Sequence, residues 1–377
     1  MKILFATGGT GGHINPALAV AGKIRETYGD KAEILFVGTP THMEAELVPA
    51  AGYDFKTVDV RGFYRGLNWT NLKRDAVAFI KMFTSSVEAK KIIKEFAPDV
   101  AIGFGGYVSG PVIRDCHKLG VKTAIHEQNA YPGITNKALA KEVDLVMLTS
   151  EAARDRMDCK NEPVITGLPV RGSMLRADRA ACRKQLGLSD DQLLVLSMGG
   201  SLGADAINEA MTDLIVAEKD NQKLYFIHAM GQYGLEMKDA LVERGIDPEA
   251  QANLDLREYI HDMDVCMPAA DLIICRSGAS SLYEIRALGK ASILIPSPNV
   301  AENHQYHNAM ELVEKNAACM IEQKDLTGEA LISLVEELTN NPARIKEMEQ
   351  NAKAMAILNA TDLIVENLLR LVPEQED

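Results

Sequence analysis

The chain has 377 residues, 47% of them hydrophobic and 25% charged, with a formal net charge of −13. At roughly 150 residues per domain that is enough for two domains, and the composition excludes a disordered chain, a collagen-like repeat and a stapled mini-protein. The acidic balance argues against general nucleic-acid binding, which needs a basic footprint.

Residues 2–6, Lys-Ile-Leu-Phe-Ala, predict a short buried strand. Thr7-Gly8-Gly9-Thr10-Gly11-Gly12-His13 follows, and a helical pattern opens at Pro16. The apolar start turns to glycine before it could form an export signal, so export is not expected. No apolar run approaches the roughly 18–20 residues that span a bilayer. Val100-Ala101-Ile102 forms a second such unit with the glycine-rich stretch 103–110. The order returns in the second half: Leu193–Ser197 precedes Met198-Gly199-Gly200-Ser201-Leu202-Gly203-Ala204, and Leu272–Cys275 precedes Arg276-Ser277-Gly278-Ala279. Strands alternating with helices imply parallel sheets covered on both faces. The duplicated opening therefore predicts two doubly wound α/β domains, with their loops at the carboxyl ends of the strands. The seam is expected within 162–172, rich in Pro and Gly, and the tail beyond about 340 reads as helical throughout before an acidic end. Six widely spaced cysteines with no C-x-x-C pair read as a reduced, cytosolic chain.

Glycine loops between strand and helix aim free amides and the positive helix end at an anion. Four of them point to phosphate-bearing ligands; none is a P-loop, and Gly199–Gly203 only approaches G-x-G-x-x-G. Two readings stand for Glu284. It is a first-turn carboxylate able to take both hydroxyls of a ribose, or the far end of a capping box with Ser281. Gln305 and Asn308 share helical spacing and suit either sugar hydroxyls or a solvated face. Metal binding finds no support: Ala130 stands where a zincin needs its second His, His304 and His307 lack a third ligand, and Asp262-Met263-Asp264 reads as a helix N-cap.

These motifs occur in a particular order. Gly8–His13, Gly103–Tyr107, His126-Glu127-Gln128-Asn129, Gly167-Leu168-Pro169-Val170-Arg171, Gly199–Ala204, Arg276–Ala279, Glu284 and His304-Gln305 together resemble the MurG family, over nearly the whole chain. These are bacterial transferases that add N-acetylglucosamine to lipid I to make lipid II.

The resemblance implies the GT-B fold: two Rossmann-like domains facing across a cleft. Residues 1–165 would form an acceptor- and membrane-facing domain, with a last helix at about 350–377 packing back on it. Residues 166–350 would form the UDP-N-acetylglucosamine domain. It implies an inverting, metal-independent hexosyltransferase for which UDP-N-acetylglucosamine is a substrate and no cofactor is needed. Ser201 would hold the diphosphate, Ile260 the uracil by its backbone, and Glu284 the ribose. Arg276, Ala279, Ser280, Ser281, Leu282 and Tyr283 would line the site, and Gln305 would contact the sugar. Thr10, Gly11, Gly12, Asn129 and Arg171 would close over the donor from the other side. Gly9, Gly105, Gly106 and Tyr107 would take the acceptor pyrophosphate. The chain departs from the family's pattern at His304, where a glutamine is common, and at Ile14-Asn15 before Pro16.

A general base is needed for the attacking hydroxyl, and His13 is the first candidate, Glu127 the second. The other reading of His13 is that it orients its loop and binds acceptor phosphate.

Residues 61–94 carry eight Lys and Arg against one Asp and one Glu, a net of +6. Lys73 and Arg74 stand there among Trp69, Phe79 and Phe83, which suits an anionic leaflet or, on the alternative reading, a basic surface helix packed on its own domain. The expected partners are the donor, lipid I, an anionic membrane surface and other cell-wall synthesis proteins. The expected place is the cytoplasmic face of the inner membrane, and the expected processes are peptidoglycan synthesis, cell shape and division. Three other activities fit the loops: a glycolipid glycosyltransferase, a UDP-N-acetylglucosamine 2-epimerase, and a non-catalytic nucleotide-sugar-binding protein.

Overall fold

The computed structural model describes residues 1–60, 85–200, 202–232 and 234–373. The chain divides into two compact units, Met1–Pro169 with Ile357–Asp377, and Val170–Ala356.

The first unit is built on a parallel sheet of seven strands: β1 (Lys2–Ala6), β2 (Glu33–Gly38), β3 (Asp54–Thr57), β4 (Val100–Gly103), β5 (Lys122–Glu127), β6 (Leu145–Leu148) and β7 (Val164–Ile165). Their order across the sheet is β3-β2-β1-β4-β5-β6-β7. Successive residues of β1 feed opposite clusters. Ile3 and Phe5 pack with Ile14, Phe36 and Phe104, while Leu4 and Ala6 pack with Val37, Val112 and Ile125. Both faces are therefore buried, which is why the strand reads as a continuous apolar run rather than an alternating one. The helices of this unit are α1 (Gly11–Tyr28), α2 (Glu44–Ala50), α3 (residues 85–96), α4 (Ser109–Lys118) and α5 (Ile134–Leu139).

The second unit repeats the plan with six strands: β8 (Leu193–Met198), β9 (Leu224–Ala229), β10 (Leu254–Arg257), β11 (Leu272–Cys275), β12 (Ala291–Leu294) and β13 (Cys319–Met320). Their order is β10-β9-β8-β11-β12-β13. Its helices are α6 (Gly172–Arg176), α7 (Arg179–Gln185), α8 (Asp205–Ala217), α9 (Glu236–Glu243), α10 (Met263–Ala269), α11 (Ala279–Leu288), α12 (His304–Val313), α13 (Gly328–Thr339) and α14 (Pro342–Ala354). Leu194 and Leu196 lie in one core cluster and Val195 in the other, the same two-faced burial as in β1.

Three expectations shift. The boundaries fall after Pro169 and Ala356 rather than after 165 and 350. The tail is not one helix: α14 belongs to the second unit, residues 355–359 break the pattern, and α15 (Ala360–Leu369) returns to the first. There α15 packs on α1 and buries Ile364, Val365 and Leu368 against the cluster containing Ile3 and Phe5. Finally, α1 begins five residues before Pro16, because Thr10 already has the extended backbone of an N-cap and Pro16 is carried inside the helix.

In each sheet the strand order reverses at one place, between β1 and β4 and between β8 and β11. The four glycine loops follow those four strands. A doubly wound sheet leaves its ligand crevice at such a switch point. Among the described residues no helix is long and apolar enough to cross a membrane.

Candidate functional site

The loops after β8 and β11 enclose a cavity of about 690 Å³ in the second unit, lined among others by Gly199, Gly203, Arg276, Gly278, Ser281 and Gln305. Arg276 supplies its positive charge. The guanidinium donates to the carbonyls of Ile295 (3.1 Å) and Pro296 (3.3 Å) and to Gln323 Oε1 (2.6 Å). No carboxylate pairs with it among the described residues, and burial lowers its pKa. A half-buried cation held by neutral acceptors retains an unanswered charge, which an anion in the cavity would meet.

Beside it α11 starts at the N-cap Gly278, with no side chain capping it. The amides of Ala279, Ser280 and Ser281 make no hydrogen bond to described residues, while that of Leu282 already bonds the Gly278 carbonyl. The site therefore combines free amides, a helix end and a cation on one concave surface.

Gln305 fixes the cavity wall. Its Oε1 accepts from the amides of Ser277 (3.2 Å) and Ser297 (2.9 Å), tying the loops after β11 and β12 together. Asn308, 3% exposed, donates to the Ser277 carbonyl at 3.2 Å. The polar spacing of these residues is thus a brace between loops rather than a solvated face. The amide nitrogen of Gln305 has no partner among the described residues and remains a donor toward the cavity it lines.

Glu284 is the sixth residue of α11, on its second turn, not its first. It cannot complete a capping box, since the N-cap is Gly278 and Ser281 already lies inside the helix. Its carboxylate accepts instead from Arg171 Nη2 at 3.3 Å. Burial raises its pKa, and the Arg171 charge and hydrogen bond pull the other way. Arg171 consequently belongs to the second unit, beside Glu284, and not to the group expected to approach the donor from the first. Leu282 and Tyr283, each 2% exposed, are helix-core side chains and do not line the cavity, and the hydroxyl of Ser280 is buried without a partner among the described residues. Ile260 is buried by its side chain, while its backbone amide and carbonyl bond no described residue. Asp262 stands at the N-cap of α10 but caps nothing, because its carboxylate is drawn to Arg257 at 2.6 Å.

In the first unit the loops after β1 and β4 touch. Gly106, with φ of 83°, lies so close to the Gly8 carbonyl that any Cβ would strike it. His13, in the first turn of α1, packs its ring against Gly105 and donates from Nδ1 to the Gly8 carbonyl at 3.1 Å. A carbonyl only accepts, so the neutral ring keeps its proton on Nδ1 and its lone pair on Nε2, the form a base requires. Thr10 is exposed and its hydroxyl caps nothing, and the amides of Gly11 and Gly12 bond no described residue. Tyr107 is 64% exposed.

Two first-unit expectations change. Gly9 cannot offer its amide to a pyrophosphate, because that amide donates to Glu44 Oε2 at 3.0 Å. Glu127, 2% exposed, accepts from the Asn129 amide (2.9 Å) and side chain (3.2 Å), the Gly133 amide (3.1 Å) and Asn136 Nδ2 (2.8 Å). With both oxygens occupied it anchors the turn through Asn129 and is not placed to take a substrate proton. Neighbouring His126 is fully buried against the Gly167 carbonyl (2.9 Å), and burial pushes its pKa down to about 4.

Ser201, Trp69, Lys73, Arg74, Phe79 and Phe83 lie outside the described residues. Among the described residues no group of three or more His, Cys, Asp or Glu is arranged to hold a metal ion. The residues that sequence reasoning missed are Glu44 and Gln323. Each reaches its loop across a long stretch of chain, and no local motif marks either.

Comparison with known proteins agrees with this arrangement. Residues 3–148 match the glycosyltransferase family 28 N-terminal domain and residues 194–364 its C-terminal domain. A protein of Acetivibrio thermocellus named UDP-N-acetylglucosamine–N-acetylmuramyl-(pentapeptide) pyrophosphoryl-undecaprenol N-acetylglucosamine transferase is 42% identical over 366 residues, 97% of each chain. One of the same name from Desulforamulus reducens is 39% identical over the full length of both. The crystal structure of Acinetobacter baumannii MurG superposes with a TM-score of 0.78 at 29% identity, covering 98% of this chain and 99% of that one. Two parallel-sheet units, glycine loops at both switch points and full-length likeness converge: the chain belongs to glycosyltransferase family 28 and, within it, to the MurG family of GT-B enzymes.

Proposed function

We propose that this enzyme transfers N-acetylglucosamine from UDP-N-acetylglucosamine to the C4 hydroxyl of N-acetylmuramic acid in lipid I, giving lipid II for peptidoglycan synthesis. The observation that carries the donor site is Arg276, a half-buried cation without a carboxylate partner among the described residues, beside the α11 amides that bond none of them. There the second unit takes the diphosphate. Glu284, steadied by Arg171, takes the ribose, the Ile260 backbone the uracil, and Gln305 the sugar.

The reaction is a single displacement with inversion. The hydroxyl attacks the anomeric carbon as the bond to the diphosphate breaks, through an oxocarbenium-like transition state. Charge grows on departing UDP, and donors fixed beforehand meet it without reorganising. His13 accepts the hydroxyl proton on Nε2, the nitrogen its Gly8 bond leaves unprotonated. Thr10 and the amides of Gly11 and Gly12 complete the donor contacts, and Gly105, Gly106 and Tyr107 attend the acceptor pyrophosphate.

The acceptor carries a polyprenyl tail, so the enzyme works at a bilayer surface. The +6 stretch of 61–94, with Trp69, Phe79 and Phe83, suits peripheral binding to the anionic cytoplasmic leaflet of the inner membrane, alongside other cell-wall synthesis proteins. Incubation with labelled UDP-N-acetylglucosamine, with and without lipid I, tests the activity. Label should enter lipid and UDP be released only when lipid I is present. Epimerised sugar without lipid, or binding without UDP release, would identify one of the other activities.

A further inference from the structure

Glu44 is the first residue of α2 and is 0% exposed. One oxygen, Oε1, accepts from the Thr39 amide (3.0 Å) and hydroxyl (2.5 Å); the other, Oε2, accepts from the Gly9 amide at 3.0 Å. A Cβ on Gly8 would collide with this carboxylate, so glycine there lets it approach. Burial pushes the Glu44 pKa up, but the bonds from the Thr39 hydroxyl and the amides outweigh it and leave the pKa lowered. The carboxylate is ionised in the buried site.

The Gly9 amide and the Gly8 carbonyl belong to one peptide unit. No peptide among the described residues is cis, so the N–H and C=O of that unit point from opposite edges of one plane. Glu44 holds the N–H edge at 3.0 Å; His13 Nδ1 holds the C=O edge at 3.1 Å.

We propose that Glu44 is a positioning residue for the transfer reaction, acting on His13 through the Gly8–Gly9 peptide. A carboxylate on the N–H polarises the peptide and makes its carbonyl a stronger acceptor. That acceptor keeps the imidazole proton on Nδ1 and stabilises the imidazolium formed during reaction. When the C4 oxygen bonds the anomeric carbon and UDP leaves, the hydroxyl proton ends on Nε2 and Nδ1 keeps its own. An aspartate does this by direct contact in serine hydrolases; here a peptide plane stands between the two groups. The proposal rests on His13 being the base.

The test uses the full-length enzyme labelled with ¹⁵N-histidine, the His13 signal being assigned by its loss in His13→Ala. The wild type should show the Nδ1–H tautomer. Glu44→Gln, which puts an NH₂ group against the Gly9 amide or strips Thr39 of its acceptor, should shift His13 toward Nε2–H. It should also lower kcat about 10–100-fold with an unchanged KM for the donor. In a His13→Ala background the same substitution should cost nothing more. A wild-type Nε2–H tautomer overturns the proposal even if Glu44→Gln does not fold, and so does an additive loss in the double variant. If His13→Ala keeps wild-type kcat, the base assignment falls and takes the proposal with it. If His13→Ala is slow while Glu44→Gln leaves tautomer and kcat unchanged, only the proposal falls.

Discussion

Arg171 and Glu284 stand 113 positions apart in sequence and 3.3 Å apart in the second unit, an ion pair in which, among the described residues, only one carboxylate oxygen is engaged. The remaining oxygen is free to accept from a ligand hydroxyl. Glu284→Ala should therefore raise the KM for UDP-N-acetylglucosamine about 10–100-fold, the loss of roughly 1.5–3 kcal/mol in charge-assisted hydrogen bonding. Steady-state kinetics with varied donor check this. An unchanged KM would confine Glu284 to its pairing with Arg171.

Arg276→Ala removes the cation that lines the second-unit cavity and has no carboxylate partner among the described residues. UDP should bind about 10–100-fold more weakly by calorimetry. The effect should extend to kcat, because charge on the diphosphate grows in the transition state. Binding of UDP unaltered by the substitution would mean that the anion sits elsewhere.

His13→Ala should lower kcat by about 10²–10⁴, the usual contribution of a general base, when donor and acceptor are saturating. A decrease of less than a few-fold would leave His13 as a loop-orienting residue only.

His126 and His228 are fully buried and uncharged, with burial pushing their pKa down to about 4 and about 3. The unfolded histidine titrates near 6.5. As pH falls below that value the unfolded chain binds protons that the folded chain refuses, so stability is complete above pH 6.5 and declines toward pH 4 and below. At pH 5 each histidine should cost roughly 2 kcal/mol. Thermal unfolding from pH 7 to 5 should show the loss. A His126→Gln, His228→Gln variant should show a flatter profile, and parallel profiles would refute the assignment.

Flotation with liposomes tests the basic stretch. Binding should rise with phosphatidylglycerol or cardiolipin content, and should weaken in Trp69→Ala and Phe83→Ala. Indifference to both would make the stretch a structural helix surface.

What the sequence disclosed and what it withheld have a common physical basis. A parallel strand buried on both faces must be a short apolar run, and a close-approaching loop must contain glycine, so β1, β4, β8, β11 and their loops are readable locally. Side-chain partners are not. Glu127 looked like a base because its four donors, from Asn129, Gly133 and Asn136, are assembled only when the turn closes. Arg171 was assigned to the wrong side because its place beside a seam says nothing of the carboxylate it meets. Pro16 looked like a helix start, yet the extended backbone at Thr10 begins α1 a turn and a half earlier. Glu44 carried no motif at all, since its role exists only where α2 passes under Gly8 and Gly9.

The return of α15 to the first unit sets an order on biosynthesis. The second unit, Val170–Ala356, is one unbroken stretch and can finish folding while its carboxyl-terminal neighbour is still in the ribosome. The first unit, although translated earlier, lacks the cover supplied by Ile364, Val365 and Leu368 until α15 itself has been made. A nascent chain stalled before Ile357 would thus carry a finished second unit and a first unit with an exposed oily flank, a natural target for chaperones and proteases.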